Sequence, residues 1–186
     1  MATTGEINNL HNTFKKFNTY LLVGEPKKLF NFVGIMDVYN RRLNEQEASD
    51  FLGFQQHNLK YGPRFLPIFT QLYHLENEVY VHIDKKSLSK SEFKFILSSV
   101  NRAEANIFRK LFATKKGIYK IGDEEALKFL VSLSVNHLFF TTFFFPSLDT
   151  VILGNWELCF PVWSKTKEGF EKCREIIEQN SLFIRE

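Results

Sequence analysis

Cysteine occurs twice in this 186-residue chain, tryptophan twice, proline five times and glycine nine times. Two cysteines, Cys159 and Cys173, are too few for a disulfide framework. So little glycine and proline excludes collagen-like repeats and low-complexity tracts, and 44% hydrophobic residues exclude general disorder. The opening MATTGEINNL has neither the basic start nor the apolar run of a secretory leader. A cytoplasmic protein with both thiols reduced is the expectation.

Also missing is any spacing that dictates a chemistry. There is no HExxH and no CxxC, and GEPKK at 24–28 lacks the GxxxxGK[ST] pattern of a phosphate loop. Gly117 and Gly122 lie too far apart to form a phosphate cradle, and Gly154-Asn155-Trp156 lacks the serine of a nucleophile elbow. His82 and Asp84, two apart in a predicted strand, share a face, as an imidazole and its orienting carboxylate would. No third ligand stands at a characteristic spacing, so the pair reads as structural. These absences set the expectation of no catalytic residues, no metal and no cofactor.

A long charge-free run exists at 129–148, twenty residues that match a bilayer in length. Asn136, His137, Thr141, Thr142 and Pro146 interrupt it, so it reads as the end of a helix followed by a buried strand rather than a membrane span. No membrane association is expected.

What the chain has in quantity is phenylalanine, 21 residues. Each buried aromatic removes about 150–250 Å² from water, so such a core needs no staple. At about 100–200 residues per domain, one domain spanning 1–186 is expected.

Periodicity places the elements. Thr3 with Glu6 has capping-box spacing, and Ile7, Leu10, Phe14, Phe17 and Leu21 follow at helical intervals until Gly24 and Pro26. Asn44 with Glu47 opens a second helix with Ala48, Phe51 and Leu52 on one face. After the turn at Tyr61-Gly62-Pro63 comes an apolar stretch, Phe65 to Tyr73. Val79, Val81 and Ile83 alternate with Tyr80 and His82 as in a strand. Ser89 with Glu92 starts a run to Leu111 that is one long helix or two broken near Asn101. A short strand, 118–121, precedes a helix begun by Asp123. Leu138 to Phe145 is apolar on both faces, as a central strand is. Thr150–Leu153 and Glu157–Trp163 flank Gly154-Asn155, a hairpin-turn dipeptide, and Pro161 predicts an edge or a bulge. Ser164 or Thr166 caps a last helix, and 182–185 returns as a strand. The fold expected is α+β: a mainly antiparallel sheet from the C-terminal half, packed against amphipathic helices, with a helical N-terminal third.

Charge carries more information than any motif. From Lys85 to Lys120 there are ten basic and two acidic residues, a net +8 in a chain of +3 overall, which leaves −5 for the rest. Lys90, Lys94, Arg102, Arg109 and Lys110 form a candidate basic ridge, with Phe95, Phe108 or Tyr119 as candidate stacking partners for bases. In the last helix Glu168, Glu171, Glu175 and Glu178 form a candidate acidic ridge, partly offset by Lys172 four residues after Glu168 and Arg174 three after Glu171. Segregated charge without catalytic motifs fits a non-catalytic protein-binding module of the bacterial immunity or antitoxin type, occluding the active site of a partner such as a toxin domain. The alternative is a nucleic-acid-binding or regulatory protein using 85–120.

Overall fold

The computed structural model describes residues 2–14, 25–51, 53–76, 78–84, 88–113 and 117–186. Its centre is a seven-stranded sheet in the order β3-β2-β4-β5-β6-β1-β7, every neighbouring pair antiparallel. The strands are β1 (Phe32–Asp37), β2 (Val79–His82), β3 (Ile118–Ile121), β4 (Thr142–Phe145), β5 (Thr150–Leu153), β6 (Phe160–Ser164) and β7 (Phe183–Arg185). The helices are α1 (Thr4–Thr13), α2 (Glu45–Phe51), α3 (Phe54–Tyr61), α4 (Phe65–Leu75), α5 (Lys90–Ser99), α6 (Arg102–Ala113), α7 (Glu124–Val135) and α8 (Lys167–Gln179). The fold is α+β, as the sequence predicts.

Period-two alternation explains how one sheet serves two apolar layers. Phe143 and Phe145 of β4, Val79 and Val81 of β2 and Val162 of β6 face a large core shared with α4 to α8. Their neighbours Phe144, Tyr80 and Trp163 face the other way, onto Ile7, Leu10 and Phe14 at α1, with Phe30 beside them. The Thr3–Glu6 capping box fixes the start of α1. Lys120 of β3 pins that helix to the sheet through ion pairs with Glu6 at 3.0 Å and with Glu78. Phe17 and Leu21 lie outside the described residues.

The structure decides between the two alternatives at 90–112 and corrects other expectations. The 90–112 run is two helices: Val100 is extended, and Asn101 caps α6 by accepting from the Glu104 N–H at 3.0 Å while Glu104 accepts from the Asn101 N–H at 2.9 Å. A second capping box inside an apolar pattern breaks the helix there. The Asn44–Glu47 box forms, but α2 has no buried residue and Phe51 is 50% exposed, because the helix lies at the periphery. Leu52 falls outside the described residues. Leu138–Phe145 contributes a strand only from Thr142, since the turn after α7 extends through Leu138.

Gly154-Asn155 is not a two-residue hairpin. The connection continues through a 3-10 turn at Trp156–Leu158, and β6 starts at Phe160. Gly154 is there for close approach, because a Cβ would stand 2.3 Å from the Oγ of buried Ser134. Pro161 sits in an interior strand rather than at an edge. It lies opposite Ile35, while the β5–β6 pairing ends at Ile152 with Val162, so its missing N–H falls beyond the last pair of that ladder and breaks no ladder bond. Among the described residues no helix is long and apolar enough to cross a membrane.

Candidate functional site: two charged helix faces and a strand-end cluster

The basic ridge survives the split of its helix. Lys90 and Lys94 on α5, and Arg102, Arg109 and Lys110 on α6, are all exposed. Among the described residues none of the five is in an ion pair; Arg109 donates to the side chain of Asn106 at 3.2 Å. Phe95 stands beside Lys94 with 60% of its surface exposed, whereas Phe108 and Tyr119 are buried and cannot stack on a base. Lys120 is held by Glu6 and Glu78 and is lost to this surface. Lys85, Lys86, Lys115 and Lys116 fall outside the described residues.

The acidic ridge lies on α8, whose opposite face buries Phe170, Cys173, Ile176 and Ile177 in the core. Glu168, Glu175 and Glu178 are exposed and Glu171 is half-buried. Arg174 pairs with Glu171 at 3.2 Å and with Glu186. Lys172 pairs with Glu175 at 3.0 Å and not with Glu168, both being within one turn of it. Glu168 and Glu178 make no ion pair among the described residues.

His82 closes β2 and is half-buried, and Asp84 is exposed two residues on, beyond the strand end. Burial lowers the His82 pKa and the charge of Asp84 opposes that shift. Among the described residues no three histidine, cysteine, aspartate or glutamate side chains gather as a metal site.

A third constellation has no sequence signature. Asp37, at the end of β1, is buried and fully engaged. Its carboxylate pairs with Arg185 of β7 and accepts from the Tyr39 N–H at 2.9 Å and from the Cys159 thiol at 3.2 Å. Burial and the Asp37 charge push the Cys159 thiol up to about 12, so at neutral pH it is a proton donor rather than a nucleophile. Beside the cluster is a cavity of about 360 Å³ whose rim includes Tyr39, Arg42 and Glu157. His57, 3% exposed, stacks on Tyr39 at 5.9 Å and tilts against Tyr61 at 5.1 Å, and its Nε2 has no hydrogen-bond partner among the described residues. The adjoining loop holds Glu157 and Leu158 at positive φ, and the Glu157 N–H donates to His137, itself at positive φ, at 3.2 Å. A nucleophilic role is disfavoured by the raised thiol pKa, and the carboxylate that would orient a base is already saturated.

The chain matches no protein-family model, no curated protein and no solved structure, so its function has to be read from these surfaces.

Proposed function

We propose that the chain is a non-catalytic protein-binding module of the bacterial toxin-neutralising type, working in the cytoplasm by covering the active site of a basic partner. The observation that supports this reading is the α8 ridge: a row of carboxylates on a helix whose other face is locked in the core, with Glu168 and Glu178 in no ion pair among the described residues. A rigid charged face steers encounter and loses little entropy on docking.

A second reading, binding of single-stranded nucleic acid through α5 and α6, is favoured by one specific arrangement: Phe95 exposed beside cations that are in no ion pair among the described residues. Two triple variants separate the readings. Reversal of Glu168, Glu171 and Glu175 to Lys abolishes protection of cells from a cognate toxin under the first reading. Reversal of Lys94, Arg102 and Arg109 to Glu abolishes oligonucleotide retention under the second, together with the steep salt dependence that phosphate contacts impose. Full function in both variants overturns both.

A further inference from the structure

His137 and Glu157 belong to different parts of the fold and meet at one hydrogen bond. His137 lies in the turn after α7, Glu157 in the connection from β5 to β6, and the Glu157 N–H donates to the His137 Nε2 at 3.2 Å. A main-chain N–H can only donate, so Nε2 carries no proton and the neutral ring keeps its proton on Nδ1.

The bond joins two segments held in a costly conformation. His137, Glu157 and Leu158 have φ of 56°, 59° and 58°, in the left-handed region that residues with a Cβ disfavour. Such backbone persists where its surroundings impose it. Leu158 is anchored by full burial, the Gly154 N–H donates to the Thr141 carbonyl at 2.9 Å, and the Asn58 side chain of α3 donates to the Val135 carbonyl at the end of α7 at 2.6 Å. Glu157 is itself exposed, and its N–H is tied down through His137.

Protonation acts on this bond directly. A second proton on the ring has to go to Nε2, where it would face the Glu157 N–H, and two donors at that distance cannot share a bond. The surrounding groups set the pH range. Burial lowers the His137 pKa, and His57 on α3 acts in the same direction. His57 is lowered by its own burial, while Asp37 at the end of β1 and Glu157 in the connection favour its charged form and Lys60 opposes it. On its remaining side the His137 ring meets Phe140, at 6.1 Å. The contribution of the bond is therefore complete above the ordinary histidine value of 6.5 and declines as the pH falls below it.

Glu157 and Cys159 both line the cavity of about 360 Å³ beside Asp37. The Cys159 thiol lies 3.2 Å from the Asp37 carboxylate and 3.7 Å from the Glu157 carbonyl, so a movement of Glu157 is felt at the sulfur.

We propose that His137 is a proton-operated latch: neutral, it holds the β5–β6 connection against the end of α7, and on protonation it releases Glu157 and opens the cavity wall beside Cys159. The latch shares no residue with either charged ridge, and neither reading of the function rests on it.

The test uses the full chain and a pyridyl disulfide, which labels thiols in mild acid. Labelling of Cys159 and Cys173 is followed separately by mass spectrometry at pH 7.5 and 5.5, each rate being divided by that of the unfolded protein at the same pH. The Cys159 ratio is expected to rise by up to about tenfold, since pH 5.5 lies one unit below the ordinary histidine value, while fully buried Cys173 stays protected. Nitrogen resonance of the imidazoles is expected to show an unprotonated Nε2 on His137 at pH 7.5, lost on acidification together with the exchange protection of the Glu157 amide. His137→Asn, which tolerates the left-handed φ, is expected to leave Cys159 fast at both pH values with Cys173 protected, and His57→Gln to keep the pH response. The proposal is overturned if the Cys159 ratio does not change, if Cys159 and Cys173 become reactive together, or if Nε2 carries a proton at pH 7.5. It is also overturned if the pH response survives in His137→Asn; should that variant fail to fold, which reactive Cys173 at pH 7.5 would reveal, the nitrogen signal and the Cys159 ratio of the unaltered chain decide.

Discussion

Asp37 and Arg185 are 148 positions apart and form an ion pair across β1 and β7, with the carboxylate buried and the guanidinium half-buried. Arg185 does not face a bare carboxylate, since Asp37 also takes the Tyr39 amide and the Cys159 thiol. Removing one partner of such a pair leaves the other desolvated.

Asp37→Asn and Arg185→Met should therefore each destabilise the fold by about 3 kcal/mol, and the double variant by clearly less than the sum. Urea denaturation of the two single variants and the double variant measures the coupling. Strict additivity would show that the two groups do not act as a pair.

Stability should fall on mild acidification. Burial holds His57, His82 and His137 below the ordinary value of 6.5, so the folded chain keeps them neutral where the unfolded chain binds protons. That contribution is complete above pH 6.5 and declines as the pH drops below it. Glu6 and Glu47, held at about 2, lose their contribution only below the ordinary carboxylate value of 4.5, so the two windows separate. Denaturation midpoints at pH 7.5, 6.0 and 5.0 are expected to decrease in that order, and His57→Gln should make the slope shallower.

Both thiols should be silent in the folded protein. Burial is the main cause that pushes Cys159 and Cys173 up to about 12, so little thiolate exists at pH 8. A disulfide-exchange reagent should find no fast-reacting thiol in the native protein and two after denaturation. A rapid native reaction of Cys159 would reopen its role as a nucleophile.

Phe143 and Phe145 are fully buried in the large core, as their places in an apolar strand predict. Replacing either with Ala should cost about 3–5 kcal/mol from transfer and cavity terms together. A loss below about 1 kcal/mol in chemical denaturation would contradict their burial.

Local chemistry was legible in the sequence and tertiary pairing was not. The Thr3–Glu6, Asn44–Glu47 and Ser89–Glu92 boxes and the Asp123 and Thr166 caps can be read from a few adjacent residues, because each is a contact within one turn. The break at Val100–Asn101 was readable only as an alternative, since the apolar spacing runs through it. Gly154 misled because a turn residue and a close-approach residue look the same in sequence. The Asp37–Arg185–Cys159 cluster had no local trace, its members coming from three distant strand ends.

The strand order has a consequence for how the chain is made. Among the described residues β1 pairs with β6 and β7, and α1 docks on a surface that includes Phe144, Val151 and Trp163, so both segments depend on strands made much later. Until β6 and β7 leave the ribosome β1 has neither neighbour, and Ile7, Leu10 and Phe14 lack the Trp163 side of the surface they cover. Contacts of such sequence separation close slowly, and the N-terminal third should not acquire protease resistance in nascent chains that lack β6. A truncation before Phe160 would remove both neighbours of β1, so loss of β6 and β7 would release β1, more than 120 positions away, as well.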